Sequence, residues 1–315
     1  MDKVMNLHDA VAEFIKDGDI MCFGGFTTNR KPYAVVEEML RQGKKDLTGW
    51  SGPAGGDWDL LIGEGRVRAY INCYTANSGY TNVSRRFRAA IENGTIAFED
   101  YSQDALLLQL HAASLGLPFL PVKLMAGTGL TEFWGISKEE RAKMDSVDND
   151  KYIMVDNPFN PGEKVVALPV PRLDSAVIHV QKASPDGTCI IEGDEFHDLD
   201  IVMAAKRTIV TCEELVSNEY IRRDPTLTRI FGPCVNAVVH VPYGAWPSQC
   251  YNYYDTDGEA LKEYDQASKD EESFKAYVKK YVYDMKNHDD LLDLIGGSRL
   301  ASLRVVPGLG YAVSK

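Results

Sequence analysis

A glycine pair near the amino terminus follows an apolar segment and precedes a basic residue. Gly24 and Gly25 come directly after the apolar run 20–23, and Arg30 follows in the same polar stretch. A short apolar run between a turn and glycines predicts a strand that is buried on both faces. A glycine loop between such a strand and a helix presents backbone N–H groups to an anion or an oxyanion. The planar guanidinium of Arg30 would add a donor suited to a carboxylate, so the pattern predicts an anion-binding site.

The same glycine pair also fits a simpler interpretation, in which it only forms a tight turn. A lone pair is a weak signal for ligand binding. The segment 24–32 contains no Gly-Lys-Ser/Thr, which argues against a P-loop, and it lacks the GxGxxG spacing of a dinucleotide site. On spacing alone, the tight turn and the anion site both remain open.

Other polar or glycine-rich turns follow predicted strands in the same way. They are residues 51–56, 75–79 and 127–129. Ligand sites of α/β sheets lie in loops at the carboxyl ends of strands, which makes these turns candidates for parts of one site. For residues 51–56, a plain connection between elements is the alternative.

Hydrophobic periodicity divides the chain into short strands and amphipathic helices. The predicted strands are 20–23, 47–50, 67–74, 118–122, 124–125, 165–168, 176–180, 189–191, 208–212 and 235–241. The predicted helices are 7–14, a helix that begins at Pro32, 83–91, 103–115 and 271–294. Helices placed between strands predict an α/β fold whose mostly parallel sheet is doubly wound, with helices on both faces. We expect a single domain over residues 1–315, with a polar excursion over the surface around 131–162.

Composition limits the classes of function. Hydrophobic residues make up 44% of the chain, which is enough for a sizeable core. A net charge of −12 argues against a nucleic-acid partner, because phosphate binding needs a basic face. The sequence shows no apolar run of membrane-spanning length and no leader, so we expect a soluble, cytoplasmic protein without membrane contact.

The cysteines and histidines show no metal-binding pattern. The six cysteines contain no C-x-x-C pair, and the histidines contain no H-x-x-x-H. We therefore predict no metal site, and we interpret the cysteines as small core residues in a reducing compartment.

The run DG-x-x-apolar-GGF, followed by a basic residue and proline, resembles the signature of the first (alpha) subunit of family I CoA-transferases. The usual pattern ends G-x-P, whereas this chain has Arg30-Lys31-Pro32. Further similar stretches are DLTGWSGPAGGDWD (46–59), YINCYTANSGYTNVSRRF (70–87), LGLPFLPVKLMAGTGLT (115–131), PVPRLDSAVIHVQKASPDGT (169–188), AAKRTIVTCEE (204–214) and VVPGLGY (305–311). Together they extend the resemblance over essentially the whole chain.

The resemblance implies covalent catalysis by a glutamate of the other subunit, in a Ser-Glu-Asn-Gly motif. Glu92-Asn93-Gly94 matches part of that motif, but Ile91 replaces the serine and the segment ends a predicted helix. We interpret it as a chance match, so the resemblance implies no catalytic residue in this chain. It implies a partner, the beta subunit, in a hetero-oligomer of alpha–beta units. CoA and acetyl-CoA would be substrates, with no permanently bound cofactor, and the acceptor would be a dicarboxylic acid such as glutaconate or 2-hydroxyglutarate.

The resemblance also assigns residues of this chain to a substrate or oxyanion site. Arg30 would bind the distal carboxylate of the acid, and Asn77 and Ser78 would hold the thioester oxygen or a carboxylate. Arg85 and Arg86 would face either the substrate's anionic groups or solvent. The full set of implied site residues is Gly24, Gly25, Phe26, Arg30, Asn77, Ser78 and Gly127.

Other functions remain possible on the same residues. Some two-subunit relatives of this fold open the ring of a CoA-linked diketone by hydrolysis. The chain would alternatively be a non-catalytic structural subunit whose loops shape the partner's pocket. A sugar-phosphate isomerase on a similar sheet is a more remote alternative.

Overall fold

A computed structural model describes residues 2–133, 135–306 and 308–313 of the chain. The strands are β1 (Ile20–Phe23), β2 (Leu47–Ser51), β3 (Val67–Asn72), β4 (Ala97–Asp100), β5 (Leu120–Val122), β6 (Ile153–Asp156), β7 (Lys164–Leu168), β8 (Ser175–Ala183), β9 (Cys189–Ile190), β10 (Arg207–Leu215), β11 (Thr228–Ile230) and β12 (Ala237–His240). The helices are α1 (Leu7–Phe14), α2 (Tyr33–Arg41), α3 (Gly56–Gly63), α4 (Arg85–Glu92), α5 (Gln103–Ser114), α6 (Gly129–Glu132), α7 (Lys138–Arg141), α8 (Asp198–Ala204), α9 (Asn218–Arg222), α10 (Gly258–Ala267), α11 (Glu271–Val278), α12 (His288–Ile295) and α13 (Gly297–Leu303).

The main sheet is mostly parallel and nine-stranded. Its parallel part runs in the order β12-β10-β8-β1-β2-β3-β4. Strand β8 extends beyond the end of β1, and there it pairs with β9 in the antiparallel sense, while β11 pairs with β9. This arrangement confirms the predicted α/β fold with a mostly parallel sheet.

Alternate residues of β1 point to opposite faces of the sheet, and each face carries its own hydrophobic core. Met21 and Phe23 belong to the cluster formed with helices α1 to α4, α10 and α11. Ile20 and Cys22 belong to the cluster formed with α5 and α8. Because both faces are covered by helices, β1 needs apolar residues at every position, as its sequence has.

Residues 118–168 depart from the predicted arrangement. Strand β5 does not join the main sheet, because it pairs with β7 in a separate antiparallel sheet whose other edge is β6. Residues 124–125 form no strand, so that part of the prediction is wrong. The segment 131–162 contains α7 and β6, and β6 joins the small sheet by pairing with β7. The division of the chain into one domain stays a prediction.

The predicted helix at 271–294 is also wrong as a single element. Helix α11 ends at Val278 and continues as a wider π-helical turn over Lys279–Tyr283. Asn287 then begins α12 by accepting a hydrogen bond from the backbone N–H of Asp290. No helix in the described part of the chain is long and apolar enough to span a bilayer.

Candidate functional site

Three loops meet at the carboxyl ends of β1, β2 and β3. The loop after β1 contacts the loop after β2 through Thr27, whose N–H donates to the carbonyl oxygen of Pro53 over 3.2 Å. The β2 loop contacts the β3 loop through Ala54, whose N–H donates to the carbonyl oxygen of Tyr74 over 2.9 Å. Parallel strands place their carboxyl ends on one edge, and these bonds join the three loops into one continuous surface.

The amides of Gly24, Gly25 and Phe26 are used within the chain. The N–H of Gly24 donates to the Val177 carbonyl over 2.9 Å, and the N–H of Phe26 donates to the Asn29 carbonyl over 2.9 Å. The N–H of Gly25 donates to Asp198 Oδ1 over 2.7 Å. These three residues therefore offer no free N–H group to an anion, and whether the rest of the loop binds one stays a prediction. That Gly24, Gly25 and Phe26 line a substrate site stays a prediction.

Close packing explains why the loop contains glycines. A Cβ atom on Gly24 would lie 2.5 Å from Asp198 Oδ1, and one on Gly25 would lie 2.2 Å from the Asn29 carbonyl oxygen. Gly25 also has a φ of +72°, in the left-handed region that side chains disfavour. The glycine pair thus forms a tight turn against a buried carboxylate.

Arg30 is buried and has ionic and polar partners inside the chain. Its Nη1 donates to Asp198 Oδ2 over 2.6 Å and to the His179 carbonyl oxygen over 2.8 Å. Its Nη2 donates to the carbonyl oxygen of Asp194 over 2.7 Å, and only 2% of the residue is exposed. The guanidinium carbon lies 5.6 Å from the centre of the Phe196 ring. Direct binding of a substrate carboxylate by Arg30 stays a prediction, and the guanidinium already has an internal counter-charge.

The neighbouring Lys31 forms a second buried ion pair. Its Nζ lies 2.9 Å from Asp57 Oδ2, with neither side chain exposed, and donates to the Gly24 carbonyl oxygen over 2.9 Å. Asp57 lies in the first turn of α3, where its Oδ1 also accepts the N–H of Gly55. Lys31, Asp57 and Asp198 are not among the site residues predicted from the sequence. An acidic residue in the first turn of a helix beside a glycine loop was an available signal for Asp57.

Asn77 lies where the loops meet, and its predicted role of holding the thioester oxygen or a carboxylate stays a prediction. The residue is 1% exposed, and its Oδ1 accepts the N–H of Gly56 over 2.8 Å. A Cβ on Gly55 would lie 2.5 Å from Asn77 Oδ1 and 2.9 Å from the Thr27 carbonyl oxygen, so Gly55 lies between the first and third loops. Asn77 Nδ2 is buried and has no hydrogen-bond partner among the described residues. A buried donor without an acceptor is costly, and this one lies beside the glycines that join the first and third loops.

The remaining predicted site residues lie in different surroundings. Ser78 is exposed, with its Oγ 3.4 Å from the hydroxyl of Tyr74. Gly127 is exposed and follows β5. The prediction that its turn joins the others at one sheet edge is wrong, because β5 belongs to the small antiparallel sheet. Any role of Gly127 toward substrate stays a prediction.

The arginines of α4 are paired with acidic residues. Arg85 makes a two-pronged contact with Asp265, with Nε and Nη2 donating over 2.7 and 3.0 Å. Arg86 pairs with Glu271, and its guanidinium carbon lies 4.9 Å from the centre of the Phe274 ring. Glu92 is the last residue of α4, as predicted, and pairs with Arg88 on the helix surface.

Below the loops, His179, Glu213 and Cys250 form the one group in the described part of the chain whose side chains could hold a metal ion. Both ring nitrogens of His179 are already bonded, Nδ1 to Thr211 Oγ1 at 2.8 Å and Nε2 to Glu213 Oε1 at 2.7 Å. Burial raises the pKa of the Cys250 thiol well above its usual value, which disfavours the thiolate that a metal needs. The group therefore has the character of a satisfied core network.

A buried histidine lies between the ends of β1 and β2. His197 is 3% exposed and lies over Gly52, where a Cβ would be 2.9 Å from the imidazole Cε1. Burial lowers the pKa of His197 to about 4, so its ring is neutral near neutral pH. The Nε2 atom lies 3.3 Å from the carbonyl oxygen of Phe23 at the end of β1. The ring thus fixes the strand end without carrying charge.

A loop-built site at the carboxyl edge of a mostly parallel sheet agrees with the class that the motifs indicated. The family model for Coenzyme A transferase matches residues 4–241, and the chain belongs to this family. The predicted enzyme class, a CoA-transferase, is thereby confirmed.

Individual relatives are similar over nearly the whole chain. The chain is 62% identical over 313 residues to the A subunit of glutaconate CoA-transferase from Acidaminococcus fermentans, covering 99% of this chain and 98% of the relative. The crystal structure of glutaconate coenzyme A-transferase from that organism superposes with a TM-score of 0.98, at 62% identity and with coverage of 99% and 98%. The cholesterol ring-cleaving hydrolase IpdA subunit of Rhodococcus jostii is 28% identical, over 89% of this chain and 92% of the relative.

Proposed function

We propose that this chain is the alpha subunit of a two-subunit CoA-transferase that moves CoA from acetyl-CoA to a dicarboxylic acid such as glutaconate or 2-hydroxyglutarate. The observation that carries the proposal is 62% identity to the A subunit of a glutaconate CoA-transferase over almost the full length of both chains. The 28% identity of the ring-cleaving hydrolase is much lower, so transfer is the better-supported activity.

The proposed reaction is covalent and ping-pong. A glutamate carboxylate of the beta subunit, in a Ser-Glu-Asn-Gly motif, attacks the thioester carbonyl of acetyl-CoA. The carbon–sulfur bond breaks, which leaves a mixed anhydride and CoA thiolate. The thiolate attacks the glutamyl carbonyl of the anhydride, releasing acetate and forming a glutamyl–CoA thioester. The acceptor carboxylate then repeats both steps in reverse order and departs as its CoA thioester.

The nucleophile belongs to the partner in this proposal, because the buried carboxylates around the loops of this chain are already engaged. Asp57 pairs with Lys31, and Asp198 pairs with Arg30. Glu213 accepts bonds from Tyr254 and from the backbone of Tyr243, and it contacts His179. A carboxylate held by buried partners is a poor attacking group, since attack would leave those partners unpaired.

This chain contributes donors and shape to the pocket. Asn77 Nδ2 is the donor to which we assign stabilisation of the oxyanion that forms when the thioester is attacked, because it is buried and unpaired within the described chain. One such donor is worth on the order of 3 kcal/mol in the transition state. This chemistry uses no metal ion and no permanently bound cofactor, and CoA enters only as a substrate.

The complex would be a cytoplasmic hetero-oligomer of alpha–beta units. All six cysteines are free, as suits a reducing compartment. Four of them are buried among core residues, at positions 22, 189, 212 and 250.

The test is an assay of this chain copurified with the beta subunit encoded with it. We expect acetyl-CoA and glutaconate to give glutaconyl-CoA and acetate. Trapping the thioester intermediate with borohydride should modify a glutamate of the beta subunit, with this chain left unmodified. Modification of a carboxylate of this chain would contradict the assignment of roles, and carbon–carbon cleavage of a cyclic CoA diketone without CoA transfer would favour the hydrolase.

A further inference from the structure

The carboxylate of Asp198 contacts the Gly25 N–H and the Arg30 guanidinium. These are the groups that were predicted from the sequence to bind an anion or a carboxylate of the substrate. Asp198 Oδ1 accepts the N–H of Gly25 over 2.7 Å, and Asp198 Oδ2 accepts Nη1 of Arg30 over 2.6 Å. Asp198 is the first residue of α8 and is fully buried. The two groups that were expected to bind an external acid are thus bound to an acid of the chain itself.

The packing around this carboxylate leaves no space for an exchange of partners. Asp198 fills the volume that a side chain on Gly24 would occupy, because a Cβ there would lie 2.5 Å from Oδ1. Arg30 is held further by the carbonyl oxygens of His179 and Asp194. Removing Asp198 from this place would leave a buried guanidinium without its counter-charge, which is strongly unfavourable.

An aromatic pair lies on the outer side of the ion pair. The rings of Phe26 and Phe196 stack with centres 5.2 Å apart and an interplanar angle of 20°, and both residues are partly exposed. Phe26 belongs to the double-glycine loop, and Phe196 lies two residues before Asp198 with a φ of +51°. An aromatic residue in the left-handed region is strained and persists only when its surroundings fix it. Asp198 accepts the N–H of Gly25, next to Phe26, and Arg30 donates to the carbonyl oxygen of Asp194, close to Phe196, so these bonds hold the chain on both sides of the pair.

We propose that Asp198 is a positioning residue for the CoA-transfer reaction, which holds the double-glycine loop through Gly25 and Arg30 and so fixes the aromatic pair Phe26–Phe196, which this proposal assigns to the wall of the substrate pocket. Arg30 then acts through the loop and touches no substrate. This inference rests on the proposed function. If Arg30 bound the distal carboxylate of the acceptor, its loss would impair dicarboxylic acceptors selectively. If Arg30 and Asp198 only position the loop, loss of either should impair dicarboxylic and monocarboxylic acceptors alike.

The kinetic test uses the alpha–beta complex with Asp198→Asn, Arg30→Met and the double variant. We expect each single variant to lower kcat by about tenfold or more, because a small displacement of a pocket wall costs up to about a hundredfold in rate. The ratio of kcat/KM for glutaconate to kcat/KM for a monocarboxylate should change less than about twofold, within the scatter about additivity. The double variant should be no worse than the poorer single variant, since both remove one interaction.

A matched control is Asp200→Asn, which removes a carboxylate of the same helix. Asp200 lies 2.8 Å from His111 Nδ1 and is partly exposed, so this variant should retain wild-type kinetics. A selective loss of the dicarboxylate in Arg30→Met, with Asp198→Asn active, would overturn the proposal by showing that Arg30 contacts the acid. Unchanged kinetics in Asp198→Asn would overturn it as well.

A second measurement uses only the wild-type complex, so it remains informative if the variants fail to fold. Amide hydrogen exchange of the wild-type complex should show the Gly25 amide protected without substrate and equally protected with acetyl-CoA and acid bound. Exposure of this amide in the free complex, or a change of its exchange on substrate binding, would overturn the proposal. If the wild-type complex transfers no CoA, the proposed function fails, whereas the exchange result still decides whether Asp198 holds the loop.

Discussion

The Lys31 ammonium group lies 2.9 Å from the carboxylate of Asp57, and both side chains are fully buried. The pair joins the start of α2 to the first turn of α3, one residue after the Arg30–Asp198 pair. The arginine-lysine sequence that distinguishes this chain from the usual motif thus forms two buried ion pairs that point to different helices. The conformation of the loop therefore depends on the carboxylates of Asp57 and Asp198, which lie outside the loop.

Removing one charge of this pair should destabilise the complex strongly. Lys31→Met leaves Asp57 buried without a counter-charge, so we expect a loss of about 3–5 kcal/mol in the free energy of unfolding. Thermal unfolding of the complex measures the effect. Lys206→Met removes an exposed partner of Asp174 and should cost at most about 1 kcal/mol. Equal shifts in the two variants would show that burial of the Lys31–Asp57 pair is unimportant.

The Nδ2 donor of Asn77, which has no partner among the described residues, can be removed while the Oδ1 acceptor of the same side chain is kept. Asn77→Asp keeps an oxygen for the Gly56 N–H and deletes the Nδ2 donor, so we expect kcat to fall by about 10²–10³ with assembly intact. Asn82→Asp places the same charge on an exposed residue of the same loop and should have little effect. Full activity of Asn77→Asp would exclude a role of Nδ2 in the reaction.

Ser78→Ala tests whether this chain takes part in catalysis or only shapes the partner. Ser78 is exposed, and its hydroxyl contacts only Tyr74 at 3.4 Å among the described side chains, so the substitution should leave stability unchanged. If the hydroxyl holds the thioester oxygen or a carboxylate, kcat/KM should fall by about tenfold. Assembly is checked by size-exclusion chromatography. Unchanged kinetics would favour a non-catalytic role for this part of the chain.

Two glycines with nearly equal φ separate backbone strain from crowding. Gly25 and Gly43 have φ values of +72° and +70°. A Cβ on Gly43 meets nothing within 4 Å, whereas one on Gly25 lies 2.2 Å from a carbonyl oxygen. Gly43→Ala should therefore cost about 1–2 kcal/mol through the backbone alone.

Gly25→Ala should cost about 1–3 kcal/mol more than Gly43→Ala, because the loop must move to admit the methyl group. It should also lower activity, which Gly43→Ala should leave unchanged. Thermal unfolding and steady-state kinetics of the two complexes give the comparison. Similar losses of stability in both variants would mean that the loop adapts without strain.

Stability should depend on pH through Glu37. Burial raises the pKa of Glu37 from its ordinary 4.5 to about 8. The folded chain therefore keeps a proton that the unfolded chain releases, and this group makes stability fall as pH rises from about 4.5 to 8. Between pH 6.5 and 8 the loss should be about 2 kcal/mol. Glu37→Gln should remove this dependence, as measured by thermal unfolding across the range.

Other buried groups contribute less than Glu37 to the change of stability in this range of pH. In the folded chain, burial raises the pKa of Asp59 to about 6 and lowers that of His197 to about 4, so both side chains are largely deprotonated in the folded chain above pH 6.5. Glu38 is the matched control. Burial tends to raise the pKa of Glu38, but hydrogen bonds from Gln42 and Arg41 outweigh burial, and the net effect is a pKa below the ordinary value. Glu38 is therefore ionised in both the folded and the unfolded chain over this range of pH. Glu38→Gln should leave the pH dependence intact, and a change there would assign the dependence to another group.

The sequence by itself determined the elements whose signals are local. The apolar run 20–23 and the helical spacing at 7–14 correspond to β1 and α1 at both ends. The motifs indicated the family, because several short segments resemble it together, and the family model matches residues 4–241. A strand buried on both faces needs apolar residues in succession, and an amphipathic helix needs a stripe. Both patterns involve residues that are close together in the sequence, so the sequence alone is enough to predict them.

Only the tertiary structure decided what the double-glycine loop binds. Asp198, the acceptor for Gly25 and Arg30, lies 173 and 168 residues further along the chain. A glycine loop followed by arginine has the same pattern whether its acceptor is a ligand or a distant carboxylate of the chain. In the same way, the sequence of β5 does not show that it pairs with β7 outside the main sheet. Long-range pairing depends on how the remaining elements fill space, and local periodicity carries no record of it.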